Sequence, residues 1–216
     1  MATILLNAAE RGSIQRVSEG NNLQARGTRD GALFTASWYD AHALEGRLFS
    51  ANMGSVTTPL TFLITLANRP DAWIRVPDGT MIIPLSVTVA LEAYTGTNTE
   101  IDIRTAQNDI GNGTSSAATV GPQSNHTGAP YASNCVARQL ATGDTTAETN
   151  PLTVWRKTIP TASAAGNDAA GSFTVTRELM GYPVLVGPAT LEAFIAATTT
   201  QATGFVVIHW IEFVER

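Results

Sequence analysis

The chain has 216 residues, of which 44% are apolar and 14% charged, and its formal net charge is −5. That is enough apolar matter for one substantial core, and the acidic balance excludes a protein whose whole surface binds nucleic acid. No run approaches the ~20 apolar residues of a membrane helix, and the lone Cys135 excludes both a disulfide framework and a cysteine-based zinc site, reading instead as a small core residue.

Residues 1–30 are polar, small and dotted with glycine. Arg11, Arg16, Arg26 and Arg29 stand against Glu10 and Glu19 through residue 29, a net of +2. The apolar Ile4, Leu5, Leu6, Ile14, Val17 and Leu23 are too scattered for a core, so this stretch reads as an extended arm able to dock on a neighbour. Its opening run lacks the basic region of a secretory leader. Residues 31–46 hold the one helical passage, in which Ser37 can cap, Trp38, Ala41 and Leu44 follow a three-to-four spacing, and Gly46 stops the helix.

From Arg47 onward the period changes to two. Leu60, Phe62, Ile64 and Leu66 share one strand face, and residues 72–76 form a short strand around Trp73. Residues 76–80 make a turn: Pro77 presets φ, Asp78 bonds its own backbone and Gly79 takes positive φ. Ile83, Leu85, Val87, Val89 and Leu91 alternate with polar or small residues in a half-buried strand whose Pro84 suggests an edge or a bulge. Ile101, Ile103 and Thr105 alternate with Asp102 and Arg104. Residues 107–130, rich in Gly, Ser, Thr and Asn, form a long loop that is functional or draped on a partner. Strands follow at 131–140, 152–159, 172–177 and 182–186, and 190–197 fits strand or helix. Residues 204–216 alternate Phe205, Val207, His209, Ile211 and Phe213 against Val206, Ile208, Trp210, Glu212 and Val214. Both faces are apolar enough to place that strand in the middle of a sheet.

Nine to ten strands with almost no helix and no internal repeat indicate an all-β, two-sheet antiparallel β-sandwich, with a jelly roll as the expected topology over residues 31–216. Catalytic chemistry is not indicated. His42, His126 and His209 lie in three different elements without a partner at ligand spacing, so no metal and no cofactor are expected. No nucleophile elbow or phosphate-binding loop occurs. Asp102, Asp109, Asp144 and Glu148 read as solvated acids. Asn112-Gly-Thr and Asn125-His-Thr match the glycosylation acceptor pattern incidentally. Trp73, Tyr131 and Trp155 are the candidate stacking platforms if the chain binds sugars.

WYDAHALEGRLF at 38–49, SVTTPL at 55–60, VPDGTMIIPL at 76–85 and FVVIHWIEF at 205–213 carry a resemblance in layout over most of the chain. In these passages it resembles jelly-roll structural proteins of viruses and bacteriophages. The resemblance implies a capsid or capsid-associated subunit without enzymatic activity, made in the host cytoplasm and located in the virion. Its partners would be copies of itself and other virion proteins, with no membrane. The arm is less basic than in coat proteins that package nucleic acid, so genome contact is expected to be weak or absent. Low charge and long small-residue loops also suit surfaces buried between subunits. Interface candidates are Arg11, Arg16, Arg26, Arg29, Trp38, His209 and Trp210. The alternative is a trimeric carbohydrate- or receptor-binding module of fibre-head or lectin-like type.

Overall fold

The computed structural model describes residues 38–63, 69–93, 98–111, 118–128, 132–140, 145–159, 171–197 and 201–214. The arm expected at 1–30 with its four arginines, the capping Ser37, Ile64, Leu66, Tyr131 and Asp144 lie outside these. Helix α1 (Trp38–Leu44) leads into β1 (Leu48–Met53), β2 (Leu60–Thr61), β3 (Ala72–Val76), β4 (Thr80–Ala93), β5 (Thr99–Ala106), β6 (Ala118–Val120) and β7 (Gln123–Ser124). Then come β8 (Val136–Gln139), β9 (Leu152–Ile159), β10 (Gly171–Thr176), β11 (Leu185–Val186), β12 (Ala189–Ala197) and β13 (Thr203–Val214).

The strands form two antiparallel sheets. One is ordered β10-β4-β13-β1-β7, with β11 beside β4 and β2 beside β13; the other is ordered β6-β8-β3-β12-β5-β9. The long strands of the two sheets follow one rule: β1 pairs β13, β3 pairs β12, β4 pairs β10 and β5 pairs β9, all antiparallel. First lies on last and second on second-last, so the chain is one long hairpin rolled over itself into two facing sheets. That is the jelly roll expected from the sequence. Period-two patterning drives it, because Val87, Val89, Val206, Ile208 and Trp210 from the first sheet face Ile74, Ile101, Ile103, Leu191 and Ile195 from the second in one core.

Local chemistry fixes the corners. At the end of α1, Gly46 takes φ +70° while Gly46 N–H donates to the Ala43 carbonyl and Arg47 N–H to that of His42, a Schellman closure. Gly79, at φ +70°, turns the chain from β3 in one sheet to β4 in the other, and its N–H donates to Asp78 Oδ1 at 3.1 Å. Pro84 sits inside a central strand. The register with β13 shifts between His209 and Trp210, opposite Ser86 and Pro84, so a bulge accommodates the missing donor. On its other side β4 pairs β11 through Ile82 and β10 only from Ser86 onward, so no ladder bond is lost there.

The sequence leaves 190–197 open between strand and helix; it is β12, with all nine residues buried. The segment 118–124, inside the loop expected at 107–130, also differs from expectation. It packs on its own sandwich, with β7 pairing β1, β8 pairing β3 and β6 pairing β8. The insertion between β5 and β9 therefore crosses the molecule and closes the opposite edge, which removes a row of unpaired backbone groups.

Candidate interaction surface

Helix α1 lies at one end of the outer face of the first sheet. His42 packs edge-on against Phe213 with ring centres 5.1 Å apart, and the Arg47 guanidinium lies 5.5 Å from the same ring. Arg47 also donates to Glu45 at 2.7 Å, and its carbonyl accepts from Glu212 N–H, which ties the helix end to β13. His42, rather than Trp38, thus seats the helix. Trp38 stays 43% exposed, in edge contact with Tyr39 and His42.

Beside Trp38 runs the turn after β10. Arg177 N–H donates to the Leu85 carbonyl and Met180 is buried in the core, so the turn is pinned from within. Its other side chains consequently face outward. The Arg177 guanidinium lies between two aromatic rings, 5.8 Å from that of Trp38 and 5.2 Å from that of Tyr182. Tyr182 holds φ +59°, a sparsely populated conformation for a bulky residue, and is 56% exposed. Leu179, Val184 and Val186 are exposed on the same stretch. Trp38, Tyr39, Arg177 and Tyr182 thus form a linked aromatic and guanidinium surface, flanked in sequence by exposed aliphatic residues.

The remaining candidates lie elsewhere. His209 is half-buried on the outer face of β13, with Nδ1 3.2 Å from Ser86 Oγ, and burial lowers its pKa, so it is neutral at neutral pH. Trp210 points the other way. It is fully buried, stacked on Phe49 at 6.1 Å between ring centres, and its Nε1 donates to Glu212, so it belongs to the core and not to a subunit contact. Trp73 is also fully buried, on the outer side of the second sheet, where Ile110 and Ala106 pack on it and its Nε1 donates to the Gly111 carbonyl. A ring covered by its own chain is no stacking platform, which corrects the sugar-binding expectation at Trp73. Trp155 is half-buried against the core at the edge strand β9, close in register to Ile103. Cys135 is buried as expected, and burial together with the nearby Glu212 pushes its thiol pKa up, leaving it inert.

The described acids among those expected to be solvated, Asp102, Asp109 and Glu148, are engaged by arginines instead. Asp102 is fully buried on the outer face of β5, accepting from Arg104 Nε at 2.6 Å and Arg156 at 2.7 Å. Glu148 reaches Arg104 at 3.4 Å with 7% of its side chain exposed, and Asp109 forms an ion pair with Arg75. Asp109 and Glu148 belong to a strap made by residues 107–111 and 145–150, which their pairing with Arg75 and Arg104 holds on this face. Asn108 joins its two halves, accepting from Thr149 N–H at 2.7 Å and donating to the Ala147 carbonyl at 3.0 Å. Among the described residues no group of three or more His, Cys, Asp or Glu side chains is arranged to hold a metal, and no helix is long and apolar enough to cross a membrane. No family model, curated protein or solved structure matches this chain.

Proposed function

We propose that this protein is a virion structural subunit, a capsid or capsid-associated jelly roll of a virus or bacteriophage, which assembles in many copies and performs no reaction. The observation that carries this reading is the surface around Trp38, Tyr39, Arg177 and Tyr182. It leaves aromatic rings in water at one end of a sandwich whose core is complete without them, and aromatic and arginine side chains are those that interfaces concentrate. The jelly roll agrees with it by analogy of fold, since this architecture recurs in viral shells and also in lectins. The sugar-binding alternative loses Trp73, which lies beneath the strap.

Sedimentation velocity on the full chain tests the proposal. The wild type is expected to run as a multi-copy species at about 10 µM, and the double variant Trp38→Ser, Tyr182→Ser as a smaller one with an unchanged circular dichroism spectrum, because desolvated aromatic anchors are worth about 2 kcal/mol or more each. A wild type that stays monomeric at that concentration contradicts it.

A further inference from the structure

Glu192 occupies the middle of β12, a strand of nine buried residues, and points to the outer face of the second sheet. Its cross-strand neighbours are Trp73 on β3 and Arg104 on β5. The strap closes over it and brings Glu148 into contact. Glu192 is wholly buried, and as a carboxylate neither of its oxygens has a hydrogen-bond donor.

The other groups facing it are already committed. Arg104 stacks 4.5 Å over the Phe194 ring and divides its nitrogens between Asp102 and Glu148. Arg156 on β9 bonds Asp102 and pairs with Glu100 at 3.0 Å. Arg75 on β3 pairs with Asp109 of the strap, and Arg138 on β8 lies opposite Trp73 in register. Two ionised carboxylates in contact here would repel one another away from water, and one of them would lack any donor. A proton on Glu192 removes both costs, because its O–H then donates to the Glu148 carboxylate.

We propose that Glu192 and Glu148 share one proton, and that this proton latches the strap segment 145–150 to the outer face of the second sheet. Burial, and after it the charge of Glu148, raises the Glu192 pKa from an ordinary 4.5 to about 9, so the latch is closed at neutral pH. With the strap lifted, Glu192 meets water and its pKa returns to the ordinary range. The closed form therefore binds one more proton than the open form across this window, and the latch weakens as pH rises through it. Assembly plays no part in this device.

Hydrogen exchange of the Thr146 and Thr149 amides, which donate to the Ile110 carbonyl and Asn108 Oδ1, reads the latch directly. After correction for the intrinsic rate, their protection is expected to fall about tenfold per pH unit between roughly pH 5 and 9, the slope of one released proton. In Glu192→Gln an amide N–H donates to Glu148 at every pH, so protection stays flat across that range. Glu148→Gln supplies the donor from the other side and serves if the first variant does not fold. A flat wild-type profile overturns the proposal, as does a variant that keeps the wild-type slope. Strap amides whose opening free energy equals that of the core amides of β13, rather than lying below it, also overturn it, since that would place their exchange in global unfolding.

Discussion

Asp71 shows how much one buried side chain holds. It is fully buried, with Oδ1 accepting from Leu63 N–H and Oδ2 from Ile195 N–H, each at 2.7 Å, so it clasps a loop to β12. Asp71→Ala would strand both donors, each costing about 1–3 kcal/mol, and we expect urea unfolding to show a loss of about 2–5 kcal/mol. Burial outweighs those two bonds and lifts the Asp71 pKa from 3.8 to about 8. The native chain keeps this proton and that of Glu192 where the unfolded chain has released them, so stability falls as pH rises from about 5 to about 9. Asp109 acts in the opposite sense, because Arg75 holds its pKa below the ordinary value and its contribution disappears only in acid. Thermal midpoints measured across pH are therefore expected to peak near about pH 5 and decline toward 9; a midpoint that climbs from 5 to 8 would refute this. Little of the residue scale was legible in the sequence. Asp102 and Glu148 read as solvated because partners that hold them, Arg156 for the first and Arg104 for the second, stand 54 and 44 residues away along the chain. The one available signal was Glu192 itself, a lone acid inside the apolar run of 189–197.

Elements with strong alternation were legible, and those defined by their partners were not. β4 and β13 declare themselves because every second residue faces the core. β12 does not, since both its faces are covered and period two is lost. β1 alternates Phe49, Ala51 and Met53 inward with Leu48, Ser50 and Asn52 outward, a contrast too weak to name a strand, and the two residues of β7 exist as strand only because β1 lies beside them. Gly204 marks the register shift where β13 meets β4. A Cβ there would lie 1.9 Å from the Ala90 carbonyl oxygen, so only glycine lets the two backbones approach. Gly204→Ala is expected to lower stability by at least about 3 kcal/mol in denaturant titration, because the central strand pair of the sheet must separate. A loss below about 1 kcal/mol would show that the close approach is dispensable.

At the scale of the whole molecule, the rolled hairpin buries most of its described large aliphatic side chains and gathers its exposed aromatic ones at one end. Its inner faces fill one core, and the insertion after β5 closes one edge. On the edge formed by β9 and β10, Lys157, the chain's one lysine, lies 4.5 Å over the Phe173 ring and sets a charge beside the exposed backbone. Among the described residues, the exposed large aromatic side chains are Trp38 and Tyr39 of α1 and Tyr182 of the turn after β10, whereas the exposed aliphatic Val56, Leu152 and Val214 lie on other elements. Under the proposed function, other copies of the chain or other virion proteins cover this aromatic surface. Oxidative footprinting of the full chain, comparing the largest species isolated by size with the dissociated chain, tests that proposal most directly. We predict strong protection of Trp38 and Tyr182 in the large species and free labelling after dissociation, with Trp73 and Trp210 protected in both. Equal labelling of Trp38 and Tyr182 in the two states would contradict it.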